Sequence, residues 1–433
     1  MTVEPKRPGI GRALRHRNYR LFFSGQSVSL IGTWITRIAT SWLVYRLTHS
    51  ALLLGLVGFC GQIPTLLLAP FAGVVVDRWD RHRILVWTQA LSALQSLALA
   101  VFALSGAITV GWVLVLQVLQ GVINAFDTPA RQAFVVQMIE DRADLPNAIA
   151  LNSTMVNGSR IIGPSIGGII IALVGEGWCF MIDAISYLAV IASLLAMRVS
   201  ETPPRVSSDS VLEELRTGYR YVTGFPPVRT ALILLAIVSA MGMPYTVLMP
   251  MIASQVLRGG PHTLGFLMTA SGLGAVAGAL YLASRRSVLG LGRVMVVATL
   301  AFGSGMIAFG LARSLWLALL ILPVVGGGFM IEMASTNTIL QTITEEHLRG
   351  RVMAFYTMAF LGTAPVGSLL AGIVADRVGA PATIVAGGIA CIAGGAWLAF
   401  QLPTLREHIR PIYSKMGIIA AVQADVSKAP GMP

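Results

Sequence analysis

Apolar runs of about 20 residues recur along the whole chain, and a run of that length either crosses a lipid bilayer or is wholly buried. Of 433 residues, 55% are hydrophobic and 12% charged, and the mean hydropathy is +0.75. A soluble globule of this size would not carry so much apolar surface, so the runs are read as membrane spans. Taken in order they number twelve: 20–45, 51–76, 84–104, 110–130, 148–174, 178–198, 229–254, 263–283, 294–312, 315–341, 352–375 and 381–402. The expected fold class is an all-α polytopic membrane protein of twelve transmembrane helices in two six-helix bundles.

Basic residues orient the spans. With the N-terminus inside, Arg46, Arg258, Arg313 and Arg377 fall outside and Arg37 and Arg160 fall within spans, while the rest of the 31 Lys and Arg lie in inner loops and tails. This is the positive-inside pattern, so the net charge of +12 records topology and implies no nucleic-acid partner. Both termini are expected in the cytoplasm. Lys6, Arg7, Arg12, Arg15, Arg17 and Arg20 imitate the basic start of a signal peptide, but the apolar stretch that follows is too long and lacks a clean small-residue cleavage site. A retained first helix is expected. Cys60, Cys179 and Cys391 lie far apart within spans and read as free thiols.

The longest polar segment, between the sixth and seventh spans, divides them six and six. Domains are therefore expected as a tail at 1–19, a bundle at 20–199, a linker at 200–228, a second bundle at 229–402 and a tail at 403–433. Within the linker Ser210-x-x-Glu213 has capping-box spacing, and Val211, Leu212, Leu215, Tyr219 and Val222 recur at helical intervals. The segment reads either as an amphipathic helix on the inner membrane surface that couples the bundles or as a linker that is merely helical. The halves repeat weakly: Gln137-Met-Ile-Glu-Asp141 matches Gln341-Thr-Ile-Thr-Glu345, Gly163-Pro164-x-x-Gly167 matches Ala364-Pro365-x-Gly367, and Leu54-Gly55 matches Leu264-Gly265. Each pair is roughly 200 residues apart and in the same order, as a duplication requires, and such repeats place a substrate site between the halves near the bilayer midplane.

At the end of the second span stands Gly73-Val-Val-Val-Asp77-Arg78-Trp-Asp80-Arg81-His-Arg83. This resembles the loop signature of the major facilitator superfamily, with Asp80 where that pattern has Gly and His82 in place of a basic residue. The resemblance implies that Asp77 latches the inner end of the fourth span and the start of the eleventh, where a helix N-terminus favours a carboxylate. Arg131 is its candidate partner, and Gly73, Asp77, Arg78, Arg81 and Arg83 are read as gating residues. Gly163-Pro164-Ser-Ile-Gly167-Gly168 in the fifth span is similar to the signature of the superfamily's exporters and antiporters, with Ser159 where its longer form has Gly. Small residues there permit close packing and Pro a bend. Phe126-Asp127-x-Pro129-Ala-Arg131-Gln132, Leu145-Pro-Asn147-Ala-Ile-Ala-Leu-Asn152 and Leu348-Arg-Gly-Arg351-Val look like the branch that includes enterobactin exporters and macrolide efflux proteins.

Polar residues inside spans mark the pathway. Gln117, Gln120, Asn124 and Asp127 fall within an arc of about 80° on the fourth span. A stripe of this kind faces a cavity or a neighbouring helix rather than lipid. Gln117-x-x-Gln120-Gly121 resembles a family pattern whose first residue is an Arg associated with proton coupling; here it is Gln. Gln26 and Arg37 share a face of the first span, and with Asn157, Arg160 and Glu332 they complete the candidate substrate and proton pathway. Glu332 is the expected protonatable carboxylate, with a structural pair such as Arg37 and Asp183 as the competing reading. No histidine stands with a second ligand at metal-site spacing, no GxxxxGK[ST] loop occurs, and no cofactor or enzyme chemistry is expected. The resemblance to the enterobactin exporter and macrolide efflux branch implies secondary active export of amphiphilic small molecules, of drug or siderophore type, by a monomer in the lipid bilayer of a bacterial inner membrane that exchanges cargo for protons. The alternatives are a proton-coupled importer and a non-transporting membrane sensor or scaffold.

Overall fold

Long apolar stretches broken only by short polar links leave each segment one way to satisfy its backbone in lipid, as a helix. The computed structural model describes residues 11–198, 211–285 and 287–418, apart from the side chains of Pro70, Asp77 and residues 211–215. Its helices are α1 (Arg17–Thr48), α2 (Ala51–Arg78), α3 (Arg81–Leu104), α4 (Val110–Gln137), α5 (Leu145–Val174) and α6 (Glu176–Leu195). There follow α7 (Val211–Gly224), α8 (Pro226–Val256), α9 (Pro261–Ser284), α10 (Leu291–Leu311), α11 (Leu315–Ile343), α12 (Glu346–Val378) and α13 (Ala380–Lys415). No strand occurs among the described residues. Among the described residues, eleven helices are long and apolar enough to cross a membrane. Helix α1 has the length, 32 residues, but Gln26, Arg37 and its serines and threonines make it less apolar; counting it gives the expected twelve. The tail expected from residue 403 instead continues α13 through Pro403 and Pro411 to Lys415. The capping pair Ser210 and Glu213 lies outside the described residues and side chains, but a helix does begin at Val211.

The chain divides into two compact units. The first comprises Met1–His49, Cys60–Ser207 and Arg258–Thr269; the second comprises Ser50–Phe59, Ser208–Leu257 and Ala270–Pro433. The division follows chain order except at two exchanged stretches, the start of α2 and the start of α9, and hydrogen bonds explain both. In the first unit Thr269 donates its hydroxyl to the Ile161 carbonyl at 3.0 Å and meets Ser165 Oγ at 2.8 Å. In the second, the Ala51 N–H donates to Asp376 Oδ1 at 2.7 Å and the Ser50 hydroxyl to Oδ2 at 3.1 Å.

In the first unit α1 packs on α5 and α6, and α3 on α4 and α6. Gly163 and Gly167 make the α1–α5 approach possible: a Cβ on Gly163 would collide with Trp34, and one on Gly167 would lie 2.6 Å from Ile38 Cγ2. Tyr19, Phe22, Leu85, Phe134 and Met138 fill one end of this unit. The chain leading into α1 docks there, with Ala13 N–H donating to Asn147 Oδ1 at 2.9 Å and the Tyr19 hydroxyl to the Ala148 carbonyl at 2.8 Å.

In the second unit α10 packs against α11 and α13. Of the three π-helical turns in its described residues, Val238–Gly242 in α8 and Met358–Gly362 in α12 each precede a proline, Pro244 and Pro365, and Ile252–Val256 ends α8. Proline removes a helical donor and a π turn leaves carbonyls unpaired. Side chains take up the slack: Ser239 donates to the Phe360 carbonyl at 2.6 Å and Thr363 to the Ala236 carbonyl at 3.3 Å. Helix α7 lies along α12, with Gly218 against Phe355 and Arg351.

Candidate functional site

Close approach of α1 and α5 puts three side chains of the first unit together. Arg37 sets its guanidinium carbon 4.6 Å from the Trp34 ring centroid, and Arg160 sets its own at 5.8 Å from the same ring. Arg37 is exposed and Arg160 half-buried. Neither has an acid within ion-pair distance or a hydrogen-bond acceptor among the described residues. The pairing of Arg37 with Asp183 weighed from sequence does not form. Asp183 instead turns into the unit, where Ser96 donates to Oδ2 at 2.9 Å and Ser186 to Oδ1 at 3.4 Å. Asn157, one turn before Arg160, donates to the Ser153 carbonyl at 2.8 Å. Gln26 is buried, 3% exposed, so it is not a lining residue in this arrangement.

The α4 stripe faces its neighbours. Gln120 donates to Ser92 of α3 at 3.3 Å and to Asn124 at 3.1 Å. Asp127 accepts at Oδ1 from Thr88 at 2.9 Å and from Gln89 at 2.7 Å, both on α3. Gln117 points toward Gly61 of α2. Of the two orientations open from sequence, a cavity or a neighbouring helix, this places Gln120 and Asp127 on the helix. Arg131, the residue expected opposite Asp77, lies 3.5 Å from Asp127 Oδ2.

Glu332 sits in the second unit, on α11, with no exposed surface. Oε1 accepts from Thr336 at 3.0 Å, whose hydroxyl also lies 4.0 Å from the Met295 sulfur. Oε2 and the hydroxyl of Ser335 have no hydrogen-bond partner among the described residues. No Arg or Lys lies within ion-pair distance of it among the described residues. The carboxyl is therefore enclosed between helices and not open to a cavity, and it belongs to a different unit from Arg37 and Arg160. An aromatic row, Tyr245, Phe302, Phe329, Phe360 and Tyr356, crosses the second unit with centroid spacings of 6.3, 5.7, 6.1 and 6.5 Å.

The charged junction after α2 is built partly by its departures from the family pattern. Asp80 caps α3, accepting the His82 N–H at 2.9 Å, and lies 3.5 Å from Arg83. His82 sets Nε2 2.8 Å from the Leu194 carbonyl and packs its ring 5.9 Å from that of Phe134. Arg78 is exposed, Arg81 half-buried, and nothing lies within 4 Å of a Cβ placed on Gly73. The latch expected of Asp77 lies outside the described side chains. In α5, a Cβ on Gly168 would meet the Pro261 carbonyl at 2.7 Å, and Gly265 packs equally close to the Pro164 carbonyl, so the Gly163, Pro164, Gly167 and Gly168 segment is a packing surface toward both α1 and α9.

Sequence reasoning missed Trp34, although its place three residues before Arg37 was a signal. It also missed that Gly372-Ile-Val-Ala-Asp376-Arg377, at the end of α12, repeats the Gly, three residues, Asp-Arg spacing of Gly73 to Arg78. A third omission is Asp144, 3.2 Å from His16 and 3.6 Å from Arg12. No group of three His, Cys, Asp or Glu is placed for a metal among the described residues, and the three cysteines are free.

The model of a family described as transmembrane secretion effector matches residues 12–429. The chain is 31% identical over 385 residues to the multidrug efflux pump Tap of Mycolicibacterium fortuitum, covering 87% of this chain and 93% of that one. It is 28% identical over 377 residues to the staphyloferrin A transporter of Staphylococcus aureus, at 86% and 93% coverage. Identity to the enterobactin exporter EntS of Shigella boydii is 25% over 393 residues, at 90% and 93%. Among solved structures, a bacterial homolog of the human lysosomal transporter Spinster aligns with a TM-score of 0.69 at 14% identity, covering 93% of this chain and 99% of that one. A peptide transporter aligns with a TM-score of 0.71 at 12% identity, covering 90% and 94%.

Proposed function

Because the chain belongs to the transmembrane secretion effector family of the major facilitator superfamily, we propose that it is a secondary active exporter of amphiphilic small molecules, of drug or siderophore type. The observation that carries this reading is the family match over residues 12–429. Full-length similarity to proteins named as a multidrug efflux pump and an enterobactin exporter supports outward movement over import. The unpaired cationic surface of Arg37 and Arg160 supports transport over a scaffold role, since an inert membrane helix has no use for uncompensated charge.

The transport cycle is alternating access, with both termini in the cytoplasm and the protein acting as a monomer in a bacterial inner membrane. Protons drive it in exchange for cargo. Glu332 is the coupling carboxyl: its free Oε2 can take or release a proton without breaking a hydrogen bond. Binding of a proton there biases the populations of the two access states, as any ligand with differential affinity does. Asp77 with Arg78, Arg81 and Arg83 gates one face, and the Gly163 to Gly168 packing surface sets how α5 moves against α1 and α9. The test is accumulation of fluorescent dyes, macrolides and siderophores in cells with and without the protein, repeated with a protonophore. Protein-dependent efflux that collapses with the protonophore is expected. Equal accumulation of every compound overturns export, and efflux that survives the protonophore overturns proton exchange.

A further inference from the structure

Two arginines in membrane helices share one indole and have no acid within ion-pair distance among the described residues. The acids of the first unit that could have served them are engaged elsewhere: Asp183 by Ser96 and Ser186, Asp127 by Thr88, Gln89 and Arg131, and Glu176 by Arg46, whose Nε lies 2.8 Å from Oε1. Cation–π contact with Trp34 offsets only part of the cost of an unpaired charge at this depth, and the two guanidiniums repel each other. Packing holds them there regardless. Gly163 brings α5 against Trp34, and Arg160, one turn earlier on the same helix, is thereby carried to the ring from α5 while Arg37 reaches it from α1. Arg37 is exposed, so the missing counter-charge can arrive from outside the fold.

We propose that Arg37 and Arg160 form the receiving site for an acidic group on the cargo, with Trp34 as the flat apolar wall beside it, so that the cargo class is a carboxylate-bearing amphiphile. This rests on the exporter reading for the word cargo, and on the site's own geometry for the charge. Guanidinium groups suit the assignment because their planar donor fork matches a carboxylate, and an arginine set against an aromatic face is oriented before the anion arrives. A positively charged drug is disfavoured by the same pair. An anionic lipid headgroup offers the same chemistry from another source.

The experiment is fluorescence polarisation of two xanthene dyes of opposite charge, 5-carboxyfluorescein and rhodamine 123, on the purified full chain in neutral detergent. Carboxyfluorescein is expected to bind more tightly, and Arg37→Gln and Arg160→Gln each to weaken it about tenfold or more while leaving rhodamine 123 unchanged or slightly tighter. Arg37→Lys keeps the charge and loses the fork, so it falls between wild type and Arg37→Gln; this ordering separates a binding role from a folding defect. Thermal unfolding of the dye-free Gln variants is expected at or above the wild-type temperature, because a repulsive pair has been removed. Equal or tighter binding of rhodamine 123, binding of neither dye, or wild-type carboxyfluorescein affinity in both Gln variants overturns the acidic-cargo assignment. Displacement of carboxyfluorescein by phosphatidylglycerol added to the micelles assigns the arginines to a lipid headgroup and also overturns it. None of these results touches export, which fails only if cells with and without the protein accumulate all compounds alike.

Discussion

Asp183 in the first unit and Glu332 in the second are both enclosed carboxyls on membrane helices, 1% and 0% exposed. Asp183 is bonded at both oxygens, by Ser96 across the α3–α6 interface and by Ser186 one turn along its own helix. Among the described residues Glu332 has a single donor, Thr336, and a bare Oε2. A buried polar group without a partner is costly, and a fully satisfied network fixes geometry. The first arrangement reads as architecture. The second retains a carboxyl whose bonding the fold has not completed, which is what a group that exchanges a proton requires.

The largest effect expected from this difference is at Asp183. Replacing it by Leu removes the shorter acceptor of the Ser96 hydroxyl, leaves Ser186 only the Asp183 backbone carbonyl, and forces a branched side chain toward α1, where Asp183 Cα lies only 3.2 Å from a Cβ placed on Gly32. A loss of about 3 kcal/mol or more is expected, read as a fall in unfolding temperature and in monodisperse yield from detergent. Asp183→Asn, which keeps one acceptor, is expected to fold and to transport. A Leu variant as stable as wild type would erase the distinction between the two acids. At Glu332 the order is reversed: Glu332→Gln is expected to leave stability within about 1 kcal/mol. Cargo efflux in the same variant should no longer respond to an imposed pH gradient. Unchanged, fully proton-dependent efflux would make Glu332 as structural as Asp183.

Much of this was legible in the chain itself. The all-helical membrane fold, the helical linker and the family came from apolar length, periodicity and the Gly73 to Arg83 junction. The solved transporters share the fold, and the family model covers nearly the whole chain. What could not be read was pairing. Periodicity placed Gln120, Asn124 and Asp127 on one face but not which neighbour that face meets, and α3 holds the partners in Ser92, Thr88 and Gln89. Arg37 and Asp183 looked complementary by depth alone; their helices rotate them to different surroundings. Asp376 was passed over because it sits at the end of a span, where an acid is unremarked, although its spacing from Gly372 repeats that of Asp77 from Gly73.

Asp376 extends the comparison to an acid satisfied by backbone. Its carboxylate accepts the first N–H of α2 and the Ser50 hydroxyl, a cap supplied by another helix, while a Cβ on Gly372 would meet the Ala51 carbonyl at 2.6 Å. The arrangement is what the family resemblance implies for Asp77 at the opposite end of α2, a carboxylate at a helix N-terminus. Asp376→Ala is expected to cost about 1 kcal/mol, the worth of an N-cap, with Asp376→Asn recovering most of it. The readout is hydrogen exchange of the 51–59 amides, which should quicken about fivefold in the Ala variant and hardly at all in the Asn variant. Unaltered exchange in both would mean that packing of Gly55 and Gly372 alone holds the start of α2.

The smallest effect separates Asp127 from Asp183 within the first unit. Asp127 differs from Asp183 in having a cation, Arg131, but that pair is one helical turn apart at 3.5 Å with Arg131 27% exposed. Thr88 and Gln89 already hold Oδ1 at hydrogen-bonding distance, so the guanidinium adds a partly solvated contact to a carboxylate that is otherwise bonded. Exposed pairs at this spacing contribute about 0.5 kcal/mol, and Arg131→Gln is expected to lower the unfolding free energy by no more than that. Its salt dependence should vanish with the charge, since the partly exposed pair is screened in wild type. A loss above about 2 kcal/mol would mean that Asp127 is an acid held by its cation, as a buried ion pair broken on one side behaves. The first unit would then contain two kinds of carboxyl, Asp183 held by hydroxyls and Asp127 held by a cation.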